Sequence, residues 1–223
     1  EPGLRRQMQL VTKCDIKLIS PNHPEHSIKH YDTSTAHIIA SVNNSLRHLQ
    51  TDVIDLLLIH RPDPLLDPDE VAAAFAQLKA AGKVRHFGVS NFTPSQMDML
   101  ASRLDVALVT NQVELSVAQM TALHDGTLDH CLQHRYAPMA WSPFGGGRIF
   151  WADDAQSTRL RQTMQQIGQE LDGATLDQVA LAWLLTHPAG VLPVLGTGKL
   201  ERWQRMVAAA DLRLSRPQWF AIW

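Results

Sequence analysis

Ile54-Asp55-Leu56-Leu57-Leu58-Ile59-His60-Arg61-Pro62-Asp63 is the stretch whose reading decides the architecture. Ile54 and Leu56 to Ile59 are five apolar residues in a segment too short for a buried helix. They suit a strand covered on both faces. Pro62 lacks the N–H that a ladder needs and Pro64 follows closely, so the strand is expected to stop at about His60. A histidine therefore stands at the carboxyl end of a doubly buried strand, the end at which α/β folds carry their chemistry.

The same grammar extends in both directions. Leu10 to Cys14 reads as a short strand with a polar end, and Ser20 to Thr35 as a loop. Thr33 or Ser34 can cap a helix whose apolar stripe is Ile38, Ile39, Val42, Leu46 and Leu49. Asp67-Pro68-Asp69-Glu70 opens the next helix with proline and acids in its first turn, and Gly82 closes it. Strands follow at Val84–Asn91, Ala107–Glu114, Ala137–Ser142 and Gly190–Leu195. Helices are expected from Thr93-Pro94, near 127–134, near 156–171, near 175–186 and from Leu200. Strand and helix alternate six times, which implies parallel strands joined by right-handed crossovers.

Composition narrows the class. The chain has 223 residues, 45% hydrophobic and 19% charged, as soluble globular proteins do. Twenty basic against 22 acidic residues leave a net charge of −2, without the basic stripe of a nucleic-acid binder. The two cysteines, Cys14 and Cys131, make no disulfide framework and suit a reducing cytoplasm. No apolar run approaches the roughly 18 residues of a membrane span.

Two architectures fit the alternation: a doubly wound open sheet and a (β/α)8 barrel. An open dinucleotide-binding sheet is usually marked by G-x-G-x-x-G after its first strand, and that fingerprint is absent. A barrel gathers polar groups at the carboxyl ends of many strands. Those ends here read Lys13, His60, Ser90-Asn91, Asn111-Gln112-Glu114, Trp141-Ser142 and Gly196-Thr197-Gly198. Every strand contributes, which favours the barrel.

Lys13 and His60 facing one barrel mouth suit an enzyme that handles a proton and a developing alkoxide, since a cation lowers a neighbour's pKa. The plain alternative for each is a polar strand end reaching solvent. Ser90, Asn91 and Gln112 can orient a neutral carboxamide, or merely cap the turns that follow. Trp141 is either core or a flat platform for an aromatic ring. Gly196-Thr197-Gly198-Lys199 is no nucleotide-hydrolase loop, because Pro193 stands where its first glycine belongs and Leu200 replaces the hydroxyl. Small residues ahead of a helix, with Lys199 and Arg202 close by, still make an anion site. His23, His26 and His30 invite a metal reading, but Pro24 breaks any shared helical face and no carboxylate pattern completes a site, so no metal is expected.

IDLLLIHRPD, GKVRHFGVSNF, TNQVE, AWSPFGGG and PVLGTGK, five motifs in order across 54–199, together resemble the aldo-keto reductases, and the bacterial oxidoreductase branch in particular. The resemblance implies a (β/α)8 barrel that binds NADP(H) across its mouth and reduces a small-molecule aldehyde or ketone. It gives Lys13 in VTKC and His60 the catalytic positions. It assigns Ser90, Asn91 and Gln112 to the nicotinamide carboxamide, and Trp141, with Ser142 beside it, to ring stacking. Gly196, Thr197, Gly198, Lys199 and Arg202 match the region around the adenosine 2′-phosphate, and the two basic side chains favour NADPH over NADH.

The family's catalytic aspartate and tyrosine belong to βα units one and two, which the resemblance puts upstream of Glu1. At about 250 residues per eight units, two units account for roughly 60 residues. Residues 1–223 are thus expected to form a single barrel domain with about six of eight units, inactive by itself. The rival reading is a catalytically weak NADP(H)-binding barrel acting as a regulatory or redox-sensing subunit; retention of Lys13 and His60 argues against it. A metal-dependent barrel hydrolase lacks its His/Asp cluster. The motifs carry no information on which carbonyl is reduced or on oligomeric state.

Overall fold

The computed structural model describes residues 3–223. The chain is α/β and divides into two compact units, 1–111 and 112–223. In the first, β1 (Val11–Cys14) pairs in parallel with β4 (Ile54–Ile59), and β4 with β5 (Val84–Ser90). Between β1 and β4 come the short antiparallel pair β2 (Ile16–Lys17) and β3 (His30–Tyr31), then helix α1 (Thr35–Leu49). The segment expected as a loop, 20–35, thus contains a short strand, because His30–Tyr31 folds back onto Ile16–Lys17.

The decisive strand behaves as its composition requires. Ile54, Leu57, Leu58 and Ile59 are buried, and the ladder ends one residue before His60. The flanking helices bury their own apolar stripes, Ile38 and Val42 of α1 and Val71, Ala74, Phe75 and Leu78 of α2 (Pro68–Ala80). Phe75 stacks on Phe87 of β5 with centroids 4.1 Å apart. The helix ends follow local chemistry: Ser34 Oγ accepts from the His37 amide at α1, Asp67 from the Asp69 amide at α2. At α3 (Pro94–Ala101), Thr93 and Gln96 form a capping box.

β6 (Leu108–Glu114) begins in the first unit beside β5. A Cβ added to Gly88 would stand 2.7 Å from the Thr110 carbonyl oxygen and 2.8 Å from Leu58 Cδ2, so only glycine fits this approach.

In the second unit the rest of β6 pairs in parallel with β7 (Met139–Trp141), and β7 with β8 (Leu192–Pro193). Between β6 and β7 lies α4 (Thr127–His134); between β7 and β8 lie α5 (Arg148–Trp151), α6 (Ala155–Glu170) and α7 (Leu176–Leu185). β8 is shorter than the expected Gly190–Leu195. Gly190 has φ +67 and Pro193 offers no amide, which leaves two residues in the ladder. After α8 (Leu200–Val207) comes α9 (Arg216–Ile222), which the hydrophobic pattern does not announce. Its signature is the Ser215–Gln218 capping box with proline inside the first turn.

The second core gathers Ile149, Met164, Ile167, Val179, Ala180 and Trp183 among others. Trp183 is 1% exposed and stacks on Trp219 with centroids 4.9 Å apart and planes 8° from parallel. Each indole N–H donates to the other residue's carbonyl, at 3.2 and 3.0 Å, so α9 is fastened to α7 twice over. Among the described residues no helix is long and apolar enough to cross a membrane.

Gly88→Ala should destabilise the chain by about 1–3 kcal/mol, the usual cost of forcing a methyl into a filled core. A urea midpoint equal to that of the unsubstituted protein would show that β5 and β6 are not packed so closely.

Candidate active site

Parallel register builds the site in the first unit. Lys13 stands opposite Leu58 and Cys14 opposite Ile59, so Asp15 and His60 emerge together from the same end of neighbouring strands. The His60 amide donates to the Cys14 carbonyl at 3.1 Å, and the Arg61 amide to Asp15 Oδ2 at 2.9 Å. β5 adds Ser90, buried, and Asn91 just beyond the ladder with φ +62. Asn91 Nδ2 donates to Ser90 Oγ at 2.9 Å and to the His60 carbonyl at 3.4 Å. Lys13, His60, Ser90 and Asn91 are therefore brought together at the carboxyl ends of three adjacent strands.

Their electrostatics follow from desolvation and crowding of positive charge. Burial, then the neighbouring Arg61 guanidinium, holds the Lys13 ammonium below its usual range. Burial, with Lys13, Arg61 and Lys29 adding repulsion, pushes His60 down to about 4. At neutral pH His60 is a neutral imidazole beside a cationic lysine, able to make a hydrogen bond without carrying charge.

The other site residues named from the sequence lie in the second unit. Gln112 stands opposite Met139 and directs its amide at that sulfur, 3.7 Å away, while Glu114 stands opposite Trp141. Trp141 is half-buried, and Ser142, with φ +51, turns the chain into the glycine loop, its carbonyl accepting from the Gly145 amide at 2.8 Å. The Val194 amide donates to the Ala140 carbonyl, so Gly196, Thr197 and Gly198 leave β8 at the same end at which Trp141 leaves β7. Lys199 occupies the N-cap position of α8 and Arg202 lies in its first turn; both side chains are exposed.

Several participants escaped the sequence reading. Arg61 sets part of the charge felt by Lys13 and His60. Asn111, read from the sequence only as a polar strand end, locks the turn after β5, its Nδ2 donating to the Phe92 carbonyl at 2.8 Å. Asp15 is 1% exposed, with φ +94; its position directly after Lys13 was the available signal. One expectation is corrected: a carboxylate does meet the histidine loop. Glu25 Oε1 lies 3.2 Å from His23 Nδ1 and 3.3 Å from His26 Nε2, while His26 Nδ1 faces the Leu18 carbonyl at 3.0 Å. Pro24 prevents a shared helix but not this local turn.

Residues 1–222 match the profile of the Aldo/keto reductase family. The chain is 51% identical over 221 residues to the uncharacterized oxidoreductase YcsN of Bacillus subtilis, covering 99% of this chain and 74% of that protein. It is 44% identical to a 6-dehydroglucose reductase of Agrobacterium fabrum, covering 100% of this chain and 73% of the relative. Among solved structures, an aldo/keto reductase from Klebsiella pneumoniae in complex with NADP and acetate superposes with a TM-score of 0.78 at 29% identity, covering 99% of this chain and 71% of that one. These neighbours are (β/α)8 barrels, which agrees with the architecture expected from the strand ends.

Because the His60 pKa is depressed in the fold, the unfolded chain takes up a proton that the folded chain refuses as pH falls from 6.5 to about 4. Stability contributed by neutral His60 is present above that window and lost through it. His60→Gln should remove part of this acid-side loss, read as urea midpoints across the same window. An unchanged pH dependence would mean that His60 is not desolvated.

Proposed function

The chain belongs to the aldo/keto reductase family, and on that premise we propose that the protein reduces an aldehyde or ketone to the alcohol with NADPH. The observation that carries the reading is the side-by-side placement of Lys13 and neutral His60 at the ends of β1 and β4. A cofactor bound across the strand ends would supply the hydride, delivered from nicotinamide C4 to the carbonyl carbon.

This chain's residues orient the carbonyl and prepare the proton transfer. His60 Nδ1 or Nε2, neutral at working pH, hydrogen-bonds the substrate oxygen and sets its angle of approach. Lys13, a desolvated ammonium, lowers the pKa of the proton donor that the family resemblance implies and stabilises negative charge developing on oxygen. Ser90 and Asn91, tied to each other, with Asn91 also tied to the His60 carbonyl, present hydroxyl and amide groups suited to a carboxamide; Gln112, in the second unit, offers the same chemistry. Trp141 supplies a flat apolar face for a ring, with Ser142 beside it.

The donor set at α8 suits a phosphate ester. Gly196, Thr197 and Gly198 keep the approach open, and Lys199 and Arg202 put two exposed cations at a helix start. That pair supports NADPH over NADH. The two buried free cysteines, Cys14 and Cys131, suit a reducing cytosol as the place of action.

The test is loss of NADPH absorbance against a panel of aldehydes, ketones and oxidised sugars, with the protein expressed from its full reading frame. NADPH binding without turnover of any carbonyl would leave a cofactor-binding module in place of a reductase. Lys13→Met should lower kcat by at least ~100-fold with NADPH affinity nearly intact, since only the transition state loses its stabilising charge. Loss of NADPH binding in that variant would overturn the role given to Lys13. Replacing Lys199 and Arg202 together by alanine should raise KM for NADPH by ~10-fold or more and leave that for NADH unchanged, because each charge-assisted phosphate contact contributes about 1.5–3 kcal/mol. Equal effects on both cofactors would rule out 2′-phosphate recognition here.

A further inference from the structure

Asp15 combines two costs that a chain has no reason to retain at one residue unless the residue acts. Its backbone is left-handed, with φ +94, in a region that favours glycine over any side chain. The residue is 1% exposed, and Oδ1 is the one buried side-chain polar atom without a hydrogen-bond partner among the described residues. Glycine would make the same turn without either cost. The left-handed backbone turns the carboxyl inward, where Oδ2 accepts the Arg61 amide at 2.9 Å and the Asp15 carbonyl accepts the Asp32 amide. One residue thus joins the end of β1 to the first residues after β4 and to the segment leading into α1.

We propose, resting on the carbonyl-reductase reading, that Asp15 is a positioning residue: its carboxyl fixes the turn that presents His60, and the tie is strongest while the carboxyl is ionised. Removing the carboxyl leaves the Arg61 amide untied and loosens the turn that follows the imidazole. Protonation weakens the acceptor that holds the Arg61 amide and so loosens the same turn.

The surroundings suit a group that changes charge in the physiological range. Burial pushes the Asp15 carboxyl up to about 7, opposed by the backbone amides of Arg61 and His60, reinforced by the Asp63 carboxylate and opposed again by the Arg61 guanidinium. Cys14 on one side is a buried thiol held well above its usual range, partly by the Asp15 charge itself. Lys13 precedes it on β1. Asp32 is already held ionised by Lys17, at 2.6 Å, and by Ser34. Asp15 is therefore the carboxyl of this cluster that changes charge near neutrality.

Two variants separate its roles. Asp15→Asn keeps shape and an acceptor for the Arg61 amide but cannot ionise. Asp15→Gly relieves the left-handed backbone, so it should fold, and removes the tie. Nuclear magnetic resonance of the His60 ring should show, besides its own protonation at low pH, a second step near pH 7 in the unsubstituted protein, and none in Asp15→Asn. With a carbonyl substrate, kcat should inflect at the same pH in the unsubstituted protein and stay flat in Asp15→Asn between about pH 6 and pH 8. Asp15→Gly should lower kcat about 10-fold or more with NADPH affinity unchanged, as misplaced catalytic groups do. A pH 7 step that persists in Asp15→Asn, or full kcat in Asp15→Gly, overturns the proposal. Failure to reduce any carbonyl would defeat the reductase reading alone, since the His60 resonance still reports whether Asp15 titrates beside it.

Discussion

The parallel pairing of β1 with β4 is the contact from which the first unit takes its meaning. A parallel ladder sets which residues leave the sheet together, and the alignment of Cys14 with Ile59 sends out Asp15 and His60 side by side, with Lys13 immediately behind. A slip of one residue would reverse every side chain of β1 between core and mouth. What prevents the slip is burial: Cys14 is 5% exposed and Leu57, Leu58 and Ile59 at most 1%, so no other register keeps these apolar groups out of water. At the opposite end of the strand Asp55 adds a polar lock, accepting the Leu10 amide and pairing with Arg5 and Arg85 at 2.8 and 2.6 Å.

The site inherits its electrostatics from the same arrangement. Lys13 at the end of β1 and Arg61 just after β4 are two cations that act on His60, which is discouraged from becoming a third. Desolvation is the larger cause for both Lys13 and His60, with neighbouring charge second. The cluster thus separates its protonation states by environment: a histidine that stays neutral, an ammonium that is less securely charged than in water, and an acid lifted toward neutrality.

The parts of this arrangement legible in the sequence are those written in local composition. IDLLLI could only be a strand covered on both faces, and the prolines after it put its end at about His60. Ser34, Asp67 and Thr93 announced their helices by chemistry that acts within one turn. The parts that were not legible depend on contacts distant along the chain. Asp15 looks ordinary until its φ and the Arg61 amide are known. β8 was over-read because GVLPVL has the apolar run of a buried strand, yet Leu192 is 52% exposed. Glu25 meets His23 and His26 only because the loop turns locally at Pro24, which periodicity cannot express. α9 was passed over because its stripe is short and aromatic, and its place is decided by Trp183, 36 residues earlier.

That last pairing has an optical consequence. Two indoles lying 4.9 Å apart within 8° of parallel, each anchored to the other's backbone, are fixed closely enough for their excited states to mix. Coupling of this kind shifts and splits the indole bands in the ultraviolet relative to isolated tryptophans. Trp219 belongs to α9 and Trp183 to α7, so that perturbation follows the docking of α9 on α7. The fold thus carries its own chromophore for the undocking of α9.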